Sequence, residues 1–305
     1  MASAFDAGTQ APASLDWPAE SARPDGDGFR WLHVCSNLCL DFHGDPRRAR
    51  LVVFSDGNHH MALEECLQRF LAAHPAAEDV FYVTTPPAVL LAWLETGSLH
   101  VGNLCLSLRP HVFISPPKIL DRVVAAGHAT HHTPFMRSRG NVLLVRKGNP
   151  KAIRTLADLA RPGVRMFLSN PQTETASYEV YVASLRGLAR AQGVASDFLD
   201  AGVERIVYGE RIHHREAPQA LADDRADAAL LYYHLALRYT RIFPEHFEMV
   251  PLDGAPTAPA AENVISEFHL ALVGNGGEWG VAARDYLLGE EAAEIYARHG
   301  LRRTT

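Results

Sequence analysis

The chain has 305 residues, 47% of them apolar and 21% charged, with a formal net charge of −6 at neutral pH. That length is too great for one ordinary core and suits two domains of about 100–150 residues. No block of five basic residues occurs, which argues against nucleic-acid binding by phosphate neutralisation. No apolar run approaches the roughly 20 residues that cross a bilayer, so membrane insertion is not expected.

Residues 1–28 are rich in Ala, Ser, Pro, Gly and Asp. They lack the basic start and apolar core of a secretory signal and read as a disordered leader. Met1-Ala2-Ser3 reads as a natural start. The expected location is therefore the cytoplasm, or the periplasm if a signal has been removed. The cysteines are Cys35, Cys39, Cys66 and Cys105, expected as thiols in a reducing compartment. Sixteen histidines are the unusual count.

After a preface over 29–50, Leu51–Phe54 is a continuous apolar run ending in Ser55-Asp-Gly-Asn58, which predicts a buried parallel strand and a tight turn. Met61, Leu63, Cys66, Leu67 and Phe70 recur at helical spacing. Val80–Thr84 is the next strand, and Pro86-Pro87 opens a helix stopped by Gly97. His111–Ser115 is a third strand, followed by a helix from Pro117. Further strands are predicted at 141–145, 165–169, 205–208, 228–232 and 265–273. Helices are predicted near 156–159, 177–192 and 219–222, with two more across 278–300. Strands alternating with helices predict α/β lobes with mixed, mostly parallel sheets. Ligands of such sheets sit beyond the carboxyl ends of the strands. The loops to watch are therefore Ser55–His60, Thr84–Pro87, Ser115–Pro117, Ser169–Ser177, Ile212–Glu216 and Tyr232–His234.

Several blocks carry a resemblance. They are Val53-Phe54 with its polar turn, Phe113–Ser115, Asn141–Val145 with Gly148-Asn-Pro150, Leu156–Gly163, Ala226–Tyr232 and Tyr286–Gly300. In order and spacing they resemble the substrate-binding proteins of molybdate/tungstate ABC transporters, which are type II periplasmic binding proteins. The resemblance covers about 51–303. It implies two lobes, 29–139 with 263–305 and 140–262, joined by two crossing strands. It also implies an oxyanion held by neutral donors at helix starts, where free N–H groups favour negative charge. By register it places Asn58, Thr85, Thr175, Ala217 and Tyr232 around the ligand. Departures stand out: Pro86 and Pro87 remove N–H donors, Asn58 replaces a serine, and histidines crowd the strand-end loops.

The expected ligand contacts are Ser55, Asn58, His59, Thr85, Ser115, Thr175, Ser177, His214 and Tyr232. The bland reading of the first loop is a helix cap at Ser55 or Asp56 with surface histidines. Imidazole suits Zn, Cu or Ni, so His59, His60, His111 and His214 form a candidate metal set, joined in the cleft by His213 and His234. The same imidazoles could serve as cations toward an anion. A second metal candidate is Cys35, Cys39 and His43, which share a face if the segment is helical; core packing is the alternative. Arg137-Ser-Arg139 and Arg215-Glu216 offer carboxylate clamps or hinge salt bridges.

No G-x-S-x-G, H-E-x-x-H, P-loop or G-x-G-x-x-G is present. An enzyme reading therefore rests only on His59 or His214 as acid–base candidates. The leading expectation is a solute-binding protein closing on a small anion, as a cytoplasmic sensor or carrier. Its partner would be an ABC transporter or a cytoplasmic protein. A metallochaperone, or an enzyme reusing the binding fold, are the alternatives.

Overall fold

The computed structural model describes residues 42–101, 103–200, 204–210 and 212–304, together with Leu15. The proposed leader and the Cys35/Cys39 pair lie outside the described residues, apart from Leu15, which packs against the core around Phe243 and Phe247.

Two sheets organise the chain. The first has seven strands in the order Phe42–His43, Val80–Thr84, Leu51–Ser55, Val112–Ser115, Glu267–Leu272, Thr133–Arg137 and Arg302–Arg303. The second has five, in the order Ile206–Tyr208, Met166–Leu168, Ala228–Tyr232, Asn141–Arg146 and Phe247–Pro251. Each sheet is covered on both faces. In the first, helices His60–Ala73, Gly277–Leu287 and Glu290–Arg298 lie over one core, and Pro87–Thr96 and Pro117–Ala125 over the other. In the second, Thr175–Gln192 covers one face, and His213–Ala222 with Tyr233–Ile242 the other. Burial on both faces explains why Leu51–Ser55, Val80–Thr84 and Ala228–Tyr232 read as unbroken apolar runs. Phe54 sits 4.6 Å from Trp93 and 6.1 Å from Phe113, ring centre to ring centre. Truncating it to alanine is worth about 3–5 kcal/mol.

The sheets are mixed, and parallel pairings are the minority. Four pairings are parallel and six are antiparallel. Four of the antiparallel ones involve Thr133–Arg137, Phe247–Pro251 or the two-residue edge strands at 42–43 and 302–303, none of which the apolar pattern announced. Short or half-exposed edge strands carry little hydrophobic signal. His43 lies in a strand paired with Tyr82, so the helical face expected for residues 35, 39 and 43 does not form at its described end.

The chain passes between the sheets twice, through 138–140 and 263–266. Ser138 N–H donates to Ser266 O (2.8 Å) and Ser266 N–H to Ser138 Oγ (2.9 Å). Asn263 locks the crossing: its Oδ1 accepts from Asn141 N (2.7 Å) and its Nδ2 donates to Asn141 O (2.9 Å). Gly140 is required here. Its φ is +76°, and an added Cβ would lie 2.9 Å from the Asn263 side chain.

Candidate functional site

Beyond the carboxyl end of Leu51–Ser55 the chain turns tightly. Asp56 caps the turn, its Oδ1 accepting from Asn58 N at 3.0 Å. Ser55 Oγ donates to Asp56 O (3.0 Å), and His59 Nε2 lies 3.1 Å from the same Oγ. The other His59 nitrogen, Nδ1, lies 2.8 Å from the Tyr296 hydroxyl. The ring also packs on Phe268 at 4.7 Å. His59, expected as a ligand contact and metal ligand, therefore has both nitrogens committed inside the protein.

The second sheet faces this loop across a boundary built of histidines. His234 Nε2 donates to Asn58 O at 2.7 Å, tying helix Tyr233–Ile242 to the first-lobe turn. That leaves His234 Nδ1 buried without a partner. His60 donates from Nδ1 to Gly57 O (2.9 Å), which leaves Nε2 buried and unpartnered. Its ring stacks on His214 at 6.2 Å, and His214 Nε2 is likewise unpartnered. Burial chiefly drives these groups to their neutral forms. His43, His59, His213 and His234 fall from the usual 6.5 to about 3, and His60 and His214 are also lowered.

Tyr232 ends its strand at the meeting point. Its ring lies between Tyr181 (5.0 Å) and His234 (5.5 Å). Burial pushes its hydroxyl up to about 12, opposed by hydrogen bonding with Ser266 and Ser177 and reinforced by the charges of Asp56 and Glu174. Those two acids come one from each lobe. Burial raises Asp56 to about 7, and its Oδ2 has no partner. Burial also raises Glu174 to about 7, with Glu216 adding to the rise, although its Oε2 accepts from His213 N at 2.9 Å. Two serine hydroxyls are buried without partners as well: Ser115 and Ser169, each just at or past a strand's carboxyl end.

Of the residues expected at the ligand, the described fold brings Ser55, Asn58, Thr85, Ser115, Ser177, His214 and Tyr232 to strand ends or helix starts, with Thr85 N donating to Ser55 O at 3.1 Å. Thr175 is exposed and donates to Pro171 O (2.8 Å). Ala217 is buried inside helix His213–Ala222, not in a loop. His111 precedes its strand, so it sits at the opposite end of the sheet, where Nδ1 accepts from Val52 N (3.0 Å). His43 stacks on Tyr82 at 4.2 Å. Among the described residues no group of three His, Cys, Asp or Glu side chains is set to hold a metal ion. Sequence reasoning passed over Asp56 as a cap and did not single out Glu174. A polar residue directly after a buried strand was the only available signal for Asp56.

A family model described as bacterial extracellular solute-binding protein matches residues 51–302. The chain belongs to that family. No curated protein matches it in sequence. Among solved structures it is similar to the sulfate-binding protein SubI from Mycobacterium tuberculosis, with 21% identity over 83% of this chain and 86% of that one and a TM-score of 0.61. It is similar to PEB3 from Campylobacter jejuni, with 18% identity over 83% and 100% and a TM-score of 0.56. It is also similar to the periplasmic molybdate-binding protein of Azotobacter vinelandii, with 17% identity over 84% and 100% and a TM-score of 0.55. At these identities the likeness establishes the two-lobed α/β fold. No helix among the described residues is long and apolar enough to cross a membrane.

Proposed function

We propose that this solute-binding protein closes its two lobes on a small oxyanion or organic acid that still carries a proton or hydroxyl group. The observation that carries this reading is the mixture of unpartnered buried groups at the lobe boundary. Ser115 and Ser169 offer hydroxyl donors, while His60 Nε2 and His234 Nδ1 offer acceptors. Neutral donors stabilise an anion without a fixed countercharge. Buried acceptors demand hydrogen from the ligand, because an unmatched acceptor costs about 1–3 kcal/mol. Fully ionised sulfate or molybdate has none to give, whereas hydrogen phosphate or a hydroxy acid does. Two of the structural relatives, a sulfate-binding and a molybdate-binding protein, support the oxyanion class.

An ABC transporter is the partner this reading implies. The family's description as extracellular supports a site of action outside the cytoplasm, in place of the cytoplasmic sensor read from the sequence. The metal reading is less well supported. Among the described residues no three His, Cys, Asp or Glu side chains are grouped to hold Zn, Cu or Ni.

The test is thermal denaturation with sulfate, molybdate, phosphate and a panel of small hydroxy acids. A ligand that binds only the folded protein raises its melting temperature, by about 2.7 kcal/mol of stability at one hundred times Kd. Phosphate or a hydroxy acid should shift the transition and sulfate should not. A shift with sulfate and none with protonated ligands would refute the acceptor argument, and no shift with any would refute the anion class.

A further inference from the structure

The far edge of the first sheet carries a cationic cluster apart from the histidine boundary. Arg302 stands directly across from Arg137 in the antiparallel pair, and Arg139 follows two residues later at the start of the crossing. The Nε of each of the three is buried without a hydrogen-bond partner. Charged side chains are rarely buried without partners, and each orphaned group calls for an explanation. The neighbouring Arg303 shows the ordinary solution, pairing with Glu290 at 2.8 Å. The nearest acid by register is Glu267, opposite Arg137 in the adjoining strand. Its carboxylate instead lies 3.9 Å from His269 Nε2. The three guanidinium groups also sense one another: Arg302 is held below its usual range, first by desolvation and then by the charges of Arg137 and Arg139.

This cluster lies on the other side of the sheet from the histidine boundary. Met136, Phe268 and Leu301 all belong to the core beneath helices His60–Ala73 and Glu290–Arg298, and the Phe268 ring touches His59. Arg137, Glu267 and Arg302 each neighbour one of those residues in sequence, so strand alternation sends them to the opposite face.

We propose that Arg137, Arg139 and Arg302 form a second anion site, on the face of the first sheet away from His59, for a phosphate-type oxyanion. Each guanidinium is a planar fork matched to two oxygens of one anion, and three forks can surround a tetrahedral group. All three side chains are half-buried, which leaves the site open to a small ion but closed to water on one side. Because Arg139 starts the crossing while Arg302 sits on the edge strand, an anion here also clamps the hinge to the sheet.

The experiment is calorimetric titration of the full chain at low salt with inorganic phosphate and, separately, with phenyl phosphate as a monoester. It is run on the parent, on R137Q/R302Q, on R137K/R302K, on the cleft variant S115A and on R137Q/R302Q/S115A. The parent and S115A should share one binding event. R137Q/R302Q should lose it by about tenfold or more, as the removal of two charge-assisted forks requires, with an unchanged near-ultraviolet dichroism spectrum. R137K/R302K should fall in between. Binding of phosphate but not the monoester assigns the site to the free ion, and binding of both to phosphorylated molecules as well. Equal phosphate affinity in S115A and in R137Q/R302Q/S115A, both with the cleft weakened, would overturn the proposal. So would loss of the event in S115A alone, or binding of poly-glutamate by the parent with no response to either phosphate. The cleft reading survives or fails separately, since its sulfate and phosphate comparison is read on R137Q/R302Q, where the arginine site is removed, with and without S115A.

Discussion

Replacing Asn263 by alanine should destabilise the protein more than any surface change, and the size follows from the crossing geometry. Asn263 is buried and supplies the partners of both Asn141 backbone groups, N–H at 2.7 Å and C=O at 2.9 Å. Alanine leaves a donor and an acceptor without partners where the two strands run side by side. Each orphan costs about 1–3 kcal/mol, so the loss is about 2–6 kcal/mol. For a chain of this size that lowers the melting temperature by about 5–15 °C. Thermal unfolding followed by circular dichroism measures it. Gly140→Ala offers an independent check, because its Cβ would meet the same Asn263 side chain at 2.9 Å while sitting at a φ of +76°. Since both changes act on one contact, the double variant should lose less than the two single losses combined. A fall of less than about 2 °C for Asn263→Ala would refute the reasoning, because it is smaller than one lost buried partner allows.

Stability should fall as pH drops from 6.5 to 4.5. The four histidines held at about 3 take up protons only when unfolded, whereas Asp56 and Glu174, held at about 7, keep theirs only when folded. Below about pH 5.5, where the unfolded histidines are protonated, the unfolded chain binds about two more protons, or about 2.7 kcal/mol per pH unit, and the slope is smaller near pH 6.5. Urea midpoints that stay flat or rise toward acid would contradict this. Asp56→Asn keeps the cap acceptor but cannot ionise, so its melting temperature should gain on the parent between pH 5 and pH 8; a constant gap would show that Asp56 does not titrate there. Ser115→Ala removes a hydroxyl that has no partner, so stability should change by less than about 1 kcal/mol while affinity for the cleft ligand falls about tenfold or more. Unchanged affinity would place the ligand elsewhere.

The central strands and the helices were legible because burial on both faces writes a continuous apolar run, as in Leu51–Ser55 and Ala228–Tyr232, and helix faces repeat at their own period. The strands at 133–137 and 247–251 were not, because part of each is exposed and both carry proline. His111 was misplaced for a related reason. The apolar run that follows it fixes a strand, but a residue at the start of that strand belongs to the end of the sheet away from the ligand loops.

The histidines show where reading chemistry from composition breaks down. Sequence counts them as cations, metal ligands or bases according to the partners supplied, yet the deciding quantity is how much water each ring keeps. His59 spends one nitrogen on Ser55 and the other on Tyr296, so it fixes the first-lobe loop and has nothing left for a solute. His60 and His234 spend one nitrogen each on a backbone carbonyl, which sets the tautomer and leaves a bare acceptor on the other. The same desolvation that makes the histidines neutral acceptors raises Asp56 and Glu174 toward neutrality. A cleft whose bases and acids are both driven to their uncharged forms selects its ligand by where hydrogen atoms sit, more than by net charge. That is why loops so rich in titratable residues are consistent with a binding site that carries no fixed cation.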